Sequence, residues 1–282
     1  MNIQWYPGHM TKALRQMKDD MKLIDLVIEL IDARVPISSR NPDIDSLANG
    51  KSRMVILNKA DLADRDAVSE WINYFESNNI MCISLDARVN KGMDKIRNKC
   101  REACKEKIER DLKRGIKNRP VRAMIVGIPN VGKSTFINSF AGRASAKTGN
   151  KPGVTRGSQW IKIDKTLELL DTPGILWPKF EDQRVGINLA LIGSINDEII
   201  EKAELCSLLL DFLNTNYPEA LMNRYNGNDL NAVATRLGCT RKGGEPDLER
   251  ASKLLLDDFR AGRLGNVSLE KPELTEVNDE KE

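Results

Sequence analysis

The sequence predicts an α/β fold: a mostly parallel sheet flanked by helices, followed by an all-helical C-terminal domain. Three observations point there. Short apolar runs rich in Val and Ile alternate with stretches of helical spacing as far as Leu170. One run, Ala123 to Val126, leads through a glycine loop into a helix, Lys133 to Ala141, with Phe136, Ile137 and Phe140 on one face. Beyond Trp177 the helical spacing continues in Glu181–Gly193, Ile199–Leu213 and Leu248–Ala261, broken by loops at Asn226-Gly227-Asn228 and Lys242-Gly243-Gly244.

At 282 residues the chain has room for one large domain or two ordinary ones, with ample core. A formal net charge of +3 says little about partners. No apolar run is long enough to span a bilayer, and the start of the chain lacks the apolar core of a signal peptide. A single histidine and five cysteines without C-x-x-C spacing argue against zinc, and reduced cytosolic thiols are expected.

Taken in order, the chain opens with Trp5-Tyr6-Pro7-Gly8-His9-Met10, a turn before a basic amphipathic helix carrying Met10, Leu14, Met17 and Met21. Leu23–Ile31 reads as a strand. It runs into Asp32-Ala33-Arg34-Val35-Pro36, a polar loop, and a short helix around Ile44–Ala48.

Arg53–Leu57 is a second strand, ending in Asn58-Lys59-Ala60-Asp61, which fits N-K-x-D. A carboxylate at Asp61 matches the N1–H and 2-amino donors of guanine. Adenine would leave it unpaired, at roughly 1–3 kcal/mol or more. Asn58 would brace the loop or bond N7, and the Lys59 stem would cover the base. A helix over Val68–Phe75 and a strand over Ile80–Leu85 lead to Asp86-Ala87-Arg88, where a backbone amide would meet the guanine O6; order more than residue identity assigns this element.

Gly92–Gly115 is a long charged helical stretch. Between Arg97 and Arg122 stand eleven Lys or Arg against four Asp or Glu. A solvated helix with i,i+4 pairs and a phosphate-backbone patch for nucleic acid explain this run equally well.

Next, Gly127, Ile128, Pro129, Asn130, Val131, Gly132, Lys133 and Ser134 fit G-x-x-x-x-G-K-[ST] at every fixed position. Backbone N–H groups and the helix N-terminus would cradle an anion. Contacts run from Asn130 through Val131, Gly132, Lys133, Ser134 and Thr135. Lys133 would reach the β- and γ-phosphates and Ser134 would bind Mg²⁺. Thr155, in the polar loop that follows, is placed to meet Mg²⁺ and the γ-phosphate. A hairpin, Gln159–Ile163 with Leu167–Leu170, ends in Asp171-Thr172-Pro173-Gly174, which fits D-x-x-G. Asp171 would hold Mg²⁺ through water and the Gly174 amide would sense the γ-phosphate. The tail beyond Ser268, rich in Glu, Asp and Pro, is expected to be disordered.

All parts of a guanine-nucleotide site are thus present, but the base-reading parts precede the phosphate parts. One sheet still accommodates both if the ordinary chain ends are joined and a new cut is made after D-x-x-G: a circularly permuted P-loop G domain, residues 1–177, with a helical domain over 178–268.

In this the chain resembles the circularly permuted GTPases of the bacterial ribosome biogenesis GTPase A (YlqF) family. The resemblance rests on Trp5 to Met10, Asp32 to Pro36, the permuted motifs, Gly174 to Pro178 and the Arg260…Gly262-Arg263-Leu264-Gly265 end, and covers nearly the whole chain. It implies a cytoplasmic GTP phosphohydrolase acting in late assembly of the large ribosomal subunit. Its partners would be that subunit and its rRNA, its activity stimulated by them, and it would be a monomer when free. A nucleotide-gated switch on another RNA, such as tRNA, is the alternative. Many GTPases orient the attacking water with a Gln after D-x-x-G; here Ile175 stands there and cannot. The resemblance offers two substitutes: a K⁺ ion held with help from Asn130, and His9, whose match in the family has been proposed to position the water.

Overall fold

The computed structural model describes residues 8–89, 92–117, 119–142, 158–196 and 200–272, and for His9 the backbone alone. Among the described residues six strands form one sheet: β1 Leu26–Asp32, β2 Ser52–Asn58, β3 Met81–Leu85, β4 Val121–Val126, β5 Gln159–Lys162 and β6 Leu167–Asp171. Their spatial order is β3-β2-β1-β4-β6-β5, parallel except for β5, which pairs antiparallel with β6. The β1 side chains are buried along its whole length, as the centre of a sheet covered on both faces requires.

The first half of the chain winds outward from β1 through β2 to β3. It then returns to β1's other side as β4. The order reverses between β1 and β4, and the crevice outside the carboxyl ends of the strands at such a reversal is where open α/β sheets bind ligands. Register carries the motifs to that edge: Asp32 lies opposite Asn58, Asn58 opposite Leu85, and Ile125 opposite Asp171.

Six helices accompany the sheet: α1 Gly8–Asp20, α2 Asp43–Leu47, α3 Arg65–Ser77, α4 Met93–Ala103, α5 Lys105–Lys113 and α6 Lys133–Ala141. Asp64 caps α3, its carboxylate accepting from the amides of Asp66 and Ala67. The charged stretch expected as one helix is two. The Ser52 hydroxyl donates to the Ala103 carbonyl at 2.6 Å, and the chain turns at Cys104 between α4 and α5. Much of its charge is paired: Lys107 and Arg119 both reach Asp25 and Asp111, and Arg122 reaches Glu168.

Five helices follow: α7 Gln183–Leu191, α8 Lys202–Asn216, α9 Pro218–Tyr225, α10 Leu230–Arg236 and α11 Leu248–Arg260. Helices α9 and α10, not anticipated, carry local start signals, Pro218 at the first turn and an Asp229 cap; the expected Asn226–Asn228 loop separates them. One continuous apolar core joins sheet and helices, taking in Ile125, Phe136 and Leu176 as well as Leu205, Leu255 and Phe259.

The expectation of disorder from 269 onward does not hold for Leu269 to Pro272. The half-buried Glu270 carboxylate accepts from the amides of Ile37 at 2.7 Å and Ser38 at 3.1 Å, and from Asn188 at 3.0 Å. The five cysteines are buried and unpaired. Among the described residues no cluster of metal-binding side chains occurs, and no helix is long and apolar enough to cross a membrane.

Candidate nucleotide-binding site

The phosphate side of the crevice is governed by close backbone approaches. Gly127, at the end of β4, has a positive φ, and a Cβ there would lie 2.4 Å from the Leu30 carbonyl oxygen. Gly132, left-handed at the start of α6, would drive a Cβ to 2.4 Å from the Asn58 amide nitrogen. Gly174 sits so near the loop that a Cβ would meet Pro129 backbone at 2.8 Å and the Lys133 ammonium at 3.0 Å. The structure therefore brings D-x-x-G against the phosphate loop, as the motifs require.

Lys133 is buried, its ammonium donating to the carbonyls of Gly127 at 2.9 Å and Ile128 at 2.8 Å. These bonds hold it across the loop. Asp171 is buried too, and its Oδ1 has no hydrogen-bond partner among the described residues. Burial pushes its carboxyl up, to about 6, against the opposing charge of Lys133; burial pushes Lys133 down, to about 8, against the charge of Asp171. An orphaned buried carboxylate oxygen beside a phosphate loop suits a hydrated divalent cation, and Ser134, in the first turn of α6, is another of the three residues expected to hold Mg²⁺, with Thr155 the third. Val131 is buried in the loop and Thr135 follows Ser134 in the same turn. Ile175 is buried, and its amide donates to the Gly127 carbonyl at 3.4 Å. Asn130, left-handed, donates from its side chain to the Gly193 carbonyl just beyond α7 at 2.7 Å. Thr155 lies outside the described residues, as does the His9 side chain.

The base side is assembled from side chains. Asn58 braces: its amide donates to the Val131 carbonyl at 2.8 Å, and its Oδ1 accepts from the Ala87 amide at 3.0 Å. One residue thereby fastens the base loop to both the phosphate loop and the Asp86–Ala87 loop. Of the backbone amides in the Asp86-Ala87-Arg88 segment, expected to supply the contact to the guanine O6, that of Ala87 is in this structure bonded to Asn58.

Lys59 is left-handed and ion-pairs through its ammonium with Asp32 at 2.9 Å. Asp32 is wholly buried and also takes a two-pronged bond from Arg34, Nε to Oδ1 at 3.0 Å and Nη2 to Oδ2 at 2.9 Å. Burial alone would raise the Asp32 carboxyl, but Arg34 and Lys59 hold it well below the usual carboxylate range. Arg34 stacks over the Phe259 ring in α11, 5.2 Å from its centroid. Asp61 pairs with exposed Arg88, which also grips Asp86 at 3.0 Å.

Of the expected base residues, Asn58, Lys59, Asp61, Asp86 and Ala87 thus share one corner of the crevice. Asp32, Arg34, Arg88 and Asn266, whose side-chain amide donates to the Asp61 carbonyl at 2.8 Å, were not anticipated there. A charged pair at the end of an apolar strand was the available signal for Asp32 and Arg34, and a basic residue beside Asp86 for Arg88. Asn266 carried none.

Comparison with known proteins agrees with this geometry. Residues 122–237 match the family described as 50S ribosome-binding GTPase, a match that begins in β4 and so leaves out the base-reading loops. The ribosome biogenesis GTPase A of Bacillus cereus is 49% identical over 97% of this chain and 95% of its own length. Two solved YlqF structures superpose over most of the chain. The GDP-bound one has a TM-score of 0.66 at 28% identity, covering 92% of this chain and 99% of that one. The GNP-bound one, from T. maritima, has a TM-score of 0.64 at 29% identity, covering 93% and 99%. Near-complete coverage at that identity, over a sheet whose motif order is permuted, places the chain in the ribosome biogenesis GTPase A family, as a GTP-hydrolysing enzyme with a circularly permuted G domain.

Proposed function

We propose that GTP binds in the crevice with its phosphates on Asn130–Thr135 and Gly174 and its base on Asn58, Lys59, Asp61, Asp86 and Ala87. The observation that carries this reading is Asn58, whose bonds to Val131 and Ala87 tie the base-reading loops to the phosphate loop, so that one ligand spans both. Ser134 and Asp171, with Thr155, hold Mg²⁺, which when bound neutralises charge on the β- and γ-phosphates. Lys133, held across its own loop by two carbonyls, presents its charge to the same oxygens. Gly174 leaves room for a γ-phosphate where any side chain would collide with Pro129 and Lys133. Ile175, buried and apolar, orients no water, so His9 or a K⁺ ion at Asn130 completes the site.

In this reading the chain acts in late maturation of the large ribosomal subunit in the cytoplasm, and the subunit stimulates hydrolysis. The G domain ends near Trp177, and the helical domain together with the basic stretch ending at Arg122 meets rRNA. The names of the relatives and the charge of that stretch support it. The test is GTP turnover in K⁺ buffer with and without purified large subunits, repeated in Na⁺. Stimulation by the subunit is expected, with K⁺ faster than Na⁺. Absence of both stimulation and GTP-dependent binding to the subunit would reject the ribosomal reading and direct attention to another RNA.

A further inference from the structure

The chain leaves α11 and, instead of ending among the helices, returns to the sheet. There it runs along the loop that follows β2. Asn266 donates from one amide nitrogen to two carbonyls of that loop, Asp61 and Ala63, each at 2.8 Å. The Val267 amide donates to the Leu62 carbonyl at 3.0 Å, and the Asp64 amide donates to the Ser268 hydroxyl at 3.0 Å. Four successive residues, Asp61 to Asp64, are therefore each held at a backbone group by three successive residues, Asn266 to Ser268. The contact is anchored on either side. Gly262 lies close enough to Leu62 that a Cβ would stand 2.5 Å from its Cδ2. Downstream, the Leu269 amide donates to the Arg34 carbonyl at 2.9 Å, Trp71 donates to the Glu270 carbonyl at 3.2 Å, and the Glu270 carboxylate accepts from the amides of Ile37 and Ser38.

From this we infer that residues 266–270 form a clasp that sets the orientation of Asp61, with Asn266 as the positioning residue for base recognition. The inference rests on the proposed role of Asp61 as the guanine reader. The physical reason is that Asp61 sits in a loop outside the sheet, where no ladder fixes its backbone. A carboxylate that must meet two donors of a planar base at once tolerates little displacement, and loops hold such geometry only when other groups support them. Asn266 supplies that support at the carbonyl of Asp61 itself. Because Arg260, six residues before it, donates to the Leu191 carbonyl at 3.0 Å and the Ala190 carbonyl at 2.8 Å, at the end of α7, the clasp also connects base recognition to the helical part.

The discriminating quantity is the affinity ratio of GDP to IDP. IDP lacks the 2-amino group and so reports the second Asp61 contact, whereas a general loss of stability leaves the ratio unchanged. In the full-length chain, Asn266→Ala is expected to lower the ratio about tenfold, the value of one well-placed hydrogen bond to a charged group. Ser268→Ala, which removes a single acceptor from the same clasp, is expected to lower it in the same direction by less, and serves if Asn266→Ala fails to fold. Asp61→Asn is measured alongside and is expected to abolish guanine preference and to bind XDP instead. If Asp61→Asn keeps the wild-type ratio, the base-reading assignment itself falls and the clasp with it. If Asp61→Asn loses the ratio while Asn266→Ala or Ser268→Ala folds and retains it, the clasp alone is overturned.

Discussion

The phosphate end and the base end of the crevice are held by different kinds of force. At the phosphate end most of the groups are contiguous in the chain, Gly127 to Ser134, and their geometry comes from backbone that only glycine permits at Gly127 and Gly132, with Gly174 packed against them from D-x-x-G. At the base end a side chain holds almost every group, and the holders come from five separate segments: Asp32 and Arg34, Asn58, Ala87 and Arg88, Val131, and Asn266. A site for an anion needs many N–H groups aimed at one point, which a short loop supplies by itself. A site for one base needs a few groups at fixed angles, and rigidity for those has to be imported.

The contrast breaks most sharply at Gly127. Gly127→Ala sets a Cβ against backbone at 2.4 Å, which no rotamer relieves. The shift it forces in the phosphate loop is expected to weaken GDP and IDP alike, on the order of 10²-fold by titration calorimetry. Equal loss for both nucleotides would confirm that backbone governs this end without regard to the base.

At the other end, Arg34→Ala leaves Asp32 buried with only Lys59 opposite it, and unfolding in urea should show a loss of about 3–5 kcal/mol. The pH dependence follows from the sign of the shift. The Asp32 carboxyl is depressed in the folded chain, so its contribution is present above the unfolded carboxylate value of about 4 and fades as pH falls below it. The gap in stability between wild type and Arg34→Ala should therefore narrow below about pH 4, and a constant gap would show that the pair does not carry the effect.

Arg88→Ala probes the exposed member of the same corner. Arg88 stands largely in water, 65% exposed, and its removal should change stability by less than about 1 kcal/mol in the same assay. A larger loss would mean that the Asp61–Asp86 corner depends on this pair as the buried one depends on Arg34.

How far the molecule was legible in its sequence follows the same division. Strands β1 to β6, the glycine loop with helix α6, N-K-x-D and D-x-x-G stood where spacing and motif indicated, because each is a local pattern. The break at Cys104 was not visible, since it depends on a hydroxyl fifty-one residues away in β2. The return of the tail was misread because composition describes what a segment is made of and not what it docks on: Glu270 looks like part of an acidic tail and is instead an acceptor for the amides of the loop after Pro36. The supports of the base loop were hidden for the same reason, Asn266 lying 205 residues from Asp61.

That separation has a consequence in time. Synthesis runs at about 5–20 residues per second, so about 10–40 s pass between the appearance of Asp61 and that of the amide that holds it. A nascent chain acquires its phosphate loop well before its base loop is fixed. Full discrimination for guanine would then arrive only once Asn266 has been made, and a chain released before it would hold phosphate without knowing which base it carried.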